Sequence, residues 1–370
     1  MKVVFAGGGT AGHINPAIAI ANYIKTKEPN ADIIYIGAKG GMEEYLVEKA
    51  GYKFIGIKVT GFSRKLNLQG FGKNMSTIKN FVESCIEARG ILKKFNPDIC
   101  LGTGGYVSGP VLWQASRLKI RTLIHEQNAY PGITTKWLSK KASAVMLASR
   151  ASQKYFNPNK CNLVITGNPI REEILKADKV KAKEKLNLDK RPVILSFGGS
   201  LGARKINEAI ADLVENIAKD DRYQVIHAFG QYGKWLISNI EERGVCLKDH
   251  KNLDIREYIF NMSECLAAAD LVICRAGAIS LSEIEALGKA SILIPSPNVA
   301  ENHQYHNAME LVNNGAAEIL EEKDLTGERL IRKVDELIKD KEKLSKLEKN
   351  AKKMAIINAN EMIYRLIKEP

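Results

Sequence analysis

Residues 271–288 decide the fold of this chain, and they read LVICRAGAISLSEIEALG. The first four residues are apolar and partly β-branched over the length of a strand, and an Arg-Ala-Gly-Ala turn follows them. Apolar residues then recur with helical spacing up to Leu287, and Gly288 is a residue type that commonly follows a helix end. The stretch therefore predicts a buried strand, a glycine turn and a helix.

The start of this predicted helix is a candidate nucleotide site. The first backbone N–H groups of a helix have no partner within the helix, so they point towards any anion beyond it. Glu283 lies in the first turns of the helix, where a carboxylate accepts the hydroxyls of a ribose in nucleotide-binding folds. The alternative is that Glu283 only stabilises the helix start electrostatically.

Three further glycine loops follow predicted strands. Because the carboxyl ends of parallel strands are where open α/β sheets bind ligands, the pattern predicts an α/β protein with two doubly wound, Rossmann-like halves facing a cleft. A helix is predicted after each loop, beginning at about Pro16 in the first case. The strands are predicted over residues 3–6, 98–101 and 193–197, and the loops over residues 7–13, 102–110 and 198–202.

The chain is long enough for two domains of ordinary size, since it has 370 residues. We place the first domain at residues 1–167 and the second at residues 168–348, with a charged helical tail at residues 349–370. The segment 168–171 reads as the linker between the two halves.

The composition is that of a globular protein, with 45% hydrophobic and 26% charged residues. No apolar run reaches the length of a bilayer span, and the N-terminus enters a strand directly, which argues against a signal peptide. Six scattered cysteines without a Cys-x-x-Cys pair fit a reducing compartment and argue against a structural zinc site.

Positive charge is concentrated in the first half of the chain. Residues 1–170 hold 23 Lys and Arg against 9 Asp and Glu, whereas the other 200 residues are close to neutral. This asymmetry suggests an anionic partner for the first half, with nucleic acid and an anionic membrane as candidates. The alternative is that the charge only maintains solubility.

Residues 61–82 interleave apolar and basic side chains, a mixture that suits a patch lying on anionic lipid. The alternative is a loop that runs into an ordinary helix facing the core.

His13 closes the first glycine loop and is a candidate general base, because an imidazole accepts a proton from a hydroxyl near neutral pH. The alternative is a histidine that only hydrogen-bonds the loop. The second predicted strand, at residues 32–36, is not followed by the acidic residue that reads a ribose in dinucleotide folds, which weakens an NAD-binding interpretation.

Six motifs occur in an order that resembles one family. Together they are similar to the membrane-associated N-acetylglucosaminyltransferases of bacterial peptidoglycan synthesis, and the resemblance spans nearly the whole chain. The motifs are GGTAGH at 8–13, GGYVSGP at 104–110, HEQN at 125–128, GNPIR at 167–171, GGSLGA at 198–203 and CRAGA at 274–278.

The resemblance implies the glycosyltransferase-B fold and the transfer of N-acetylglucosamine from UDP-N-acetylglucosamine. The implied acceptor is lipid I, undecaprenyl-pyrophosphoryl-N-acetylmuramoyl-pentapeptide, and the implied product is lipid II. The implied location is the cytoplasmic face of the cell membrane, as a peripheral protein without a cofactor. Nucleic acid is not an expected partner, and the oligomeric state is left open. The tail helix is expected to pack back onto the first domain.

The resemblance also implies roles for individual residues. Ser200 is expected to hold the diphosphate, Arg171 to belong to the donor site, Ile259 to line the uracil pocket and Glu283 to take the ribose hydroxyls. The remaining implied donor residues are Thr10, Ala11, Gly12, Asn128, Ala278, Ile279, Ser280, Leu281, Ser282 and Gln304. The implied acceptor pyrophosphate site is Gly104, Gly105 and Tyr106.

We expect a single displacement at the anomeric carbon with inversion, in which the muramyl 4-hydroxyl attacks and UDP leaves. The chain contains no Asp-x-Asp motif, so we predict that no metal is needed. His13 is the favoured base, with Glu126 and His125 as second choices. The rival hypotheses are a UDP-N-acetylglucosamine epimerase or another lipid glycosyltransferase on the same fold, a nucleotide-dependent binding protein, and a dinucleotide oxidoreductase.

Overall fold

The computed structural model describes residues 1–59 and 68–369, with the backbone alone for residues 68–79. The chain divides into two compact units. The first unit contains Met1–Ile170 and Asn358–Pro370, and the second contains Arg171–Ile357.

The first unit is built on a seven-stranded parallel sheet in the order β3-β2-β1-β4-β5-β6-β7. Because both faces are covered by helices, the central strands are continuous buried runs rather than alternating ones. The winding direction reverses between β1 and β4, so the loops after these two strands meet at a topological switch point. The strands are β1 Lys2–Gly7, β2 Asp32–Ala38, β3 Lys53–Ile57, β4 Ile99–Gly104, β5 Arg121–Glu126, β6 Ala144–Leu147 and β7 Leu163–Ile165.

Alternate residues of these strands enter two cores. On one face Val3 and Phe5 pack with the first and last helices of the unit, and on the other face Val4 and Ala6 pack with the third and fourth helices. The helices are α1 Ala11–Lys27, α2 Met42–Lys49, α3 Leu68–Phe95, α4 Ser108–Arg117, α5 Ile133–Leu138 and, from the end of the chain, α15 Ala359–Lys368.

Helix α15 is held in the first unit by side chains as well as by its apolar face. Arg121 donates from Nη2 to the Leu366 carbonyl at 2.7 Å and from Nη1 to the Ile367 carbonyl at 3.1 Å. Lys368 bonds Glu28 at 2.8 Å. The guanidinium thus satisfies carbonyls that a helix end leaves without partners.

The second unit has a six-stranded parallel sheet in the order β10-β9-β8-β11-β12-β13, with its switch point between β8 and β11. The strands are β8 Val193–Phe197, β9 Gln224–Ala228, β10 Leu253–Arg256, β11 Leu271–Cys274, β12 Ala290–Leu293 and β13 Glu318–Ile319. The helices are α6 Glu172–Leu175, α7 Lys179–Lys185, α8 Arg204–Ile217, α9 Trp235–Glu242, α10 Met262–Ala268, α11 Ala278–Leu287, α12 His303–Asn313, α13 Gly327–Lys339 and α14 Lys341–Met354.

The predicted fold class of two doubly wound parallel α/β units is confirmed. The segment 271–288 forms β11 and α11, and Gly288 ends the helix in a left-handed conformation with φ 64°. The predicted start of α1 is wrong: the helix begins at Ala11, because Thr10 already has the extended backbone of an N-cap residue, and Pro16 lies inside the helix. Strands β3 and β13 lie at the sheet edges and were not predicted.

The unit boundaries differ from the predicted domain limits of 167 and 349. The first unit extends to Ile170, and the chain leaves the second unit after Ile357. Lysine-rich α14 belongs to the second unit because its few apolar residues, such as Leu347, join that core. The expected lipid-facing patch at residues 61–82 lies mostly outside the residues whose side chains are described.

Within the described residues, no helix is both long enough and apolar enough to cross a membrane. The same residues contain no group of three or more His, Cys, Asp or Glu side chains arranged to hold a metal ion.

Candidate active site

The two glycine loops at the switch point of the first unit are locked against each other. Gly105 has φ +78°, and a Cβ at that position would lie 2.2 Å from the Gly8 carbonyl oxygen. The Ser108 hydroxyl, at the start of α4, lies 2.8 Å from the carbonyl oxygens of both Ala6 and Gly104. The approach of the two backbones is therefore possible only without a side chain at Gly105.

A fully buried carboxylate, Glu43 of α2, lies beneath the first loop. Its Oε1 accepts from the Ala38 N–H at 2.9 Å and its Oε2 accepts from the Gly9 N–H at 3.3 Å. The first loop thus already holds an anion that belongs to the protein. Glu43 was not predicted from the sequence, although an acidic residue two positions after the Gly40-Gly41 pair was a visible signal.

His13 lies in the first turn of α1 and is half-buried. A Cβ on Gly104 would lie 2.8 Å from its Nδ1, so the Gly104 backbone packs directly against the imidazole ring. Nδ1 lies 3.2 Å from Oε1 of Gln127. The ring is therefore fixed from two sides, by a glycine backbone and by an amide.

His125, a second candidate base, is completely buried behind Gln127. Its Nε2 lies 3.0 Å from the Gly167 carbonyl oxygen, and its Nδ1 lies 3.0 Å from Nε2 of Gln127. Burial lowers the pKa of His125, which favours the neutral imidazole. Both ring nitrogens have protein partners, so His125 supports its neighbours rather than presenting a free nitrogen.

Glu126, the third candidate base, is buried and used as a hydrogen-bond acceptor. Its Oε1 accepts from the backbone N–H and the side-chain amide of Asn128, both at 3.1 Å. Its Oε2 accepts from the Gly132 N–H at 3.0 Å. These bonds fix the backbone of residues 126–132. They also bring together Glu126 and Asn128, which were both predicted for the site.

The other predicted residues of the first unit lie around the same loops. Thr10 and Gly12 are exposed at the start of α1, and Ala11 is half-buried beside them. Tyr106 is 37% exposed, and its ring lies 3.2 Å from the position of a Cβ on Gly9. Burial and the charge of Glu43 both raise the pKa of the Tyr106 hydroxyl, which keeps it protonated.

The loop after β8 in the second unit also depends on a close backbone approach. Gly202 has φ +85°, and a Cβ there would lie 2.1 Å from the Phe229 carbonyl oxygen. Buried Asn207 of α8 donates to that same carbonyl at 3.0 Å. Ser200 is exposed in the loop, four residues before α8 begins at Arg204. Asn207 was not predicted from the sequence, because its hydrogen bond to the Phe229 carbonyl is visible only in the folded loop.

Glu283 of α11 forms an ion pair with Arg171. Both residues were predicted for the UDP-sugar site, and the fold brings them together. Glu283 is 6% exposed, and its Oε1 accepts from Arg171 Nε at 3.0 Å. Burial raises the pKa of Glu283, whereas the adjacent Arg171 charge opposes that rise. Arg171 also bonds Glu173 at 2.8 Å through Nη1.

The remaining donor candidates occupy different positions in the second unit. Ala278, Ile279, Ser280 and Ser282 are half-buried in the first turns of α11, whereas the side chain of Leu281 is buried. Ile259 is buried between the exposed rings of Tyr258 and Phe260. Gln304, in the first turn of α12, accepts from the Ser296 N–H at 2.9 Å through Oε1.

Comparison with known proteins covers both units. Residues 3–147 match the glycosyltransferase family 28 N-terminal domain, and residues 193–363 match the glycosyltransferase family 28 C-terminal domain.

Relatives match over nearly their full length. An Acetivibrio thermocellus protein named UDP-N-acetylglucosamine–N-acetylmuramyl-(pentapeptide) pyrophosphoryl-undecaprenol N-acetylglucosamine transferase is 46% identical, with 100% of this chain and 98% of the relative covered. The crystal structure of Acinetobacter baumannii MurG aligns with a TM-score of 0.78 and 27% identity, covering 99% of each chain. A putative UDP-N-acetylglucosamine 2-epimerase from Listeria monocytogenes aligns over 99% of this chain and 95% of its own, with a TM-score of 0.70. At 14% identity, the epimerase shares the fold alone. The chain belongs to glycosyltransferase family 28.

Proposed function

We infer that this protein transfers N-acetylglucosamine from UDP-N-acetylglucosamine to the 4-hydroxyl of the muramyl sugar of lipid I, which gives lipid II for peptidoglycan. The observation that carries this inference is the 46% identity to a relative with that activity in its name, over all of this chain. The six motifs of the site fall within that match. A UDP-N-acetylglucosamine epimerase shares only the fold, so no feature of this chain favours it over the transferase.

We assign the UDP-sugar to the second unit. The start of α11 is half-buried, and the exposed Ser200 loop precedes the start of α8, so the positive ends of two helix dipoles favour a diphosphate here. Glu283 keeps Oε2 for a ribose hydroxyl while Arg171 holds Oε1. The two helix starts compensate the charge that develops on departing UDP, and we propose that no metal is required.

We assign the acceptor and the general base to the first unit. His13 Nε2 accepts the proton of the muramyl 4-hydroxyl as that oxygen bonds to the anomeric carbon, and the bond between this carbon and the UDP oxygen breaks with inversion. Glu126 and His125 are less suited to the role, because their acceptor atoms already receive hydrogen bonds from the protein. Gly104, Gly105 and Tyr106 are proposed to face the acceptor pyrophosphate.

We propose that the first unit lies on the anionic cytoplasmic face of the cell membrane as a peripheral protein. Trp137 is 41% exposed and stacks on Trp113 at 4.9 Å between ring centroids, and Lys141 lies 4.3 Å from the Trp113 centroid. Ile86 and Ile133 are further exposed apolar side chains of the same unit. Exposed aromatic and aliphatic side chains with lysines suit the boundary between lipid headgroups and acyl chains.

The enzymatic inference is tested with labelled UDP-N-acetylglucosamine and a short-chain lipid I analogue. We expect one β-1,4-linked N-acetylglucosamine on the muramyl sugar, with equal activity in EDTA and in magnesium. Isomerised UDP-sugar formed without an acceptor would instead indicate an epimerase. Loss of activity in EDTA that magnesium restores would contradict the metal-free mechanism.

The membrane proposal is tested by sedimentation with vesicles of anionic or zwitterionic lipid. We expect binding to anionic vesicles that weakens as salt is raised, because screening shortens the range of surface electrostatics. Trp137→Ser should weaken binding, whereas Tyr232→Ser, which removes an exposed aromatic ring of the second unit, should not. Equal binding to both lipids at all salt concentrations would refute the proposal.

A further inference from the structure

The geometry points to Gln127 as a positioning residue that fixes the tautomer of His13, with buried His125 and the Gly167 carbonyl as its support. The catalytic part of this inference rests on the proposed function. The tautomer itself is a property of the first unit alone, and it is measurable without substrate.

The orientation of the Gln127 amide follows from a group that only accepts hydrogen bonds. Gln127 Nε2 lies 3.0 Å from the backbone carbonyl oxygen of His125, so this end of the amide is the NH₂ group. The carbonyl oxygen Oε1 is therefore the atom that faces His13.

The partners of His125 likewise determine which of its ring nitrogens carries a proton. Its Nε2 faces the Gly167 carbonyl oxygen at 3.0 Å and must carry a proton to bond there. Its Nδ1 then bears a lone pair and accepts the second N–H of Gln127, also at 3.0 Å. The two amide protons have one acceptor each, and the neutral His125 has one donor and one acceptor contact.

The Gln127 amide also sets the tautomer of His13. Since Oε1 of Gln127 only accepts, Nδ1 of His13 donates to it across 3.2 Å. A neutral His13 then has its lone pair on Nε2, and no described residue hydrogen-bonds that atom. The imidazole is thus held as the tautomer that a general base needs, by an amide in the place where many enzymes use a carboxylate.

Gly167 and Asn168 link this arrangement to the segment that follows β7. Asn168 donates from Nδ2 to the Gln127 backbone carbonyl at 3.3 Å, while Gly167 accepts from His125. Two motifs of the sequence, HEQN and GNPIR, therefore support the histidine of a third, GGTAGH. Rotation of the amide would set its oxygen against the His125 carbonyl oxygen, so the buried end of the amide disfavours the alternative orientation.

The first experiment is ¹⁵N NMR of the histidine rings in the full chain, with His13 assigned by loss of its signals in His13→Gln. We expect neutral His13 to carry its proton on Nδ1 in the unsubstituted protein and to become a tautomer mixture in Gln127→Leu. A proton mainly on Nε2, or signals that Gln127→Leu leaves unchanged, would overturn the inference. A fixed tautomer together with a fully active His13→Ala would support the inference and reject His13 as the base of the proposed function.

The second experiment is the pH dependence of kcat, and it includes a variant that keeps a hydrogen-bond acceptor beside His13. Gln127→Leu should lower kcat by about tenfold or more with an unchanged KM for UDP-N-acetylglucosamine, since general-base catalysis contributes about 10²–10⁴-fold. Gln127→Glu should move the acid limb of the profile to higher pH, because a carboxylate at Nδ1 stabilises the imidazolium. If Gln127→Leu and Gln127→Glu lower kcat equally and the acid limb of Gln127→Glu does not move, Gln127 has only a structural role.

Gln224 of the second unit provides the matched control. It is also buried, and it exchanges three hydrogen bonds with the backbone of Asp189 and Arg191. Gln224→Leu should lower thermal stability while the His13 signals and the acid limb stay in place. If Gln224→Leu shifts them as Gln127→Leu does, the effect is one of general destabilisation and the inference fails.

Discussion

The glycine loops at the two switch points share one plan but differ in what lies beneath them. In both units a glycine with positive φ packs against a neighbouring carbonyl group. Gly105 packs against the Gly8 carbonyl in the first unit, and Gly202 packs against the Phe229 carbonyl in the second. The first loop has the buried carboxylate of Glu43 bonded to its Gly9 N–H. In the part of the chain that the structure describes, no carboxylate accepts from the loop at residues 198–202.

We infer that the same local motif serves opposite electrostatic purposes in the two units. A loop that already holds a carboxylate disfavours a second anion at the same N–H, so the first loop acts as a scaffold for His13. We propose that the loop at residues 198–202, which holds no such carboxylate, takes the donor diphosphate at the start of α8. This contrast also argues against a dinucleotide pyrophosphate on the first loop, in agreement with the missing acidic residue after strand β2.

The largest effect is expected from placing a methyl group where the loops meet. Gly105→Ala should destabilise the protein by more than about 2 kcal/mol, because strain at positive φ alone costs about 1–3 kcal/mol and the clash with Gly8 adds to it. Gly202→Ala should destabilise the protein similarly, because a Cβ there would lie 2.1 Å from the Phe229 carbonyl oxygen, and it should in addition weaken UDP binding. Thermal melts and UDP titration calorimetry measure the two effects.

Gly90→Ala is the control for both changes, since a Cβ at this helical position meets no atom within 4 Å. It should be neutral or slightly stabilising. If Gly105→Ala weakened UDP affinity as much as Gly202→Ala, the assignment of separate tasks to the two loops would be wrong.

The next largest effect is expected on kcat, without a change in UDP affinity. His13→Ala should lower kcat by about 10²–10⁴-fold, which is the usual contribution of a general base, while UDP affinity stays the same. Glu126→Gln should cost less, because its main task is to accept from Asn128 and Gly132. Steady-state kinetics with the lipid I analogue compare the two. A greater kcat loss in Glu126→Gln would transfer the role of base to that carboxylate.

A smaller effect is expected in the second unit and depends on pH. Glu283→Gln should weaken UDP binding by about 10–150-fold, since a hydrogen bond to a charged group contributes about 1.5–3 kcal/mol. Burial raises the pKa of Glu283, so acidification should weaken UDP binding while an ordinary glutamate is still ionised. Arg171→Gln removes the charge that opposes this rise and should move the loss of affinity to higher pH.

The control for this pH dependence is His13→Ala, whose UDP affinity should follow the unsubstituted protein at every pH. Calorimetry across the acidic range gives all the curves. An Arg171→Gln curve that coincides with that of the unsubstituted protein would show that the ion pair does not set the ionisation of Glu283.

The sequence predicted the elements of these loops well because glycines at strand ends are local signals. The strand and helix of residues 271–288 and the turn at Gly288 were read from adjacent residues. The contacts that distinguish the loops were not predictable in the same way. Glu43 reaches Gly9 across 34 positions, and Gln127 reaches His13 across 114. Such pairs become visible only when the sheet order has brought their strands together.

The start of α1 and the limits of the two units differ from the predicted ones for a related reason. Pro16 suggested a helix start, but the extended Thr10 begins the helix earlier and the proline is accommodated within it. Helices α14 and α15 both read as charged helical segments, so the tail was predicted to begin at residue 349. The three carbonyls bonded by Arg121 distinguish α15, and that contact spans about 245 positions of the chain.

The smallest expected effect comes from the buried carboxylate that makes the two loops different. Glu43→Gln keeps the shape of the side chain but replaces one acceptor oxygen by an NH₂ group that faces a backbone donor. The cost should be about 1–3 kcal/mol of unfolding free energy, the penalty for an unsatisfied buried polar group. The neighbouring Glu44→Gln is the control, because Glu44 is more exposed and accepts only from Gly40, at 2.8 Å, so its change should stay within about 0.5 kcal/mol. UDP affinity should be unaffected in both variants. If Glu43→Gln were as harmless as Glu44→Gln, the carboxylate would not be what holds the first loop, and the two switch points would differ less than their hydrogen bonds indicate.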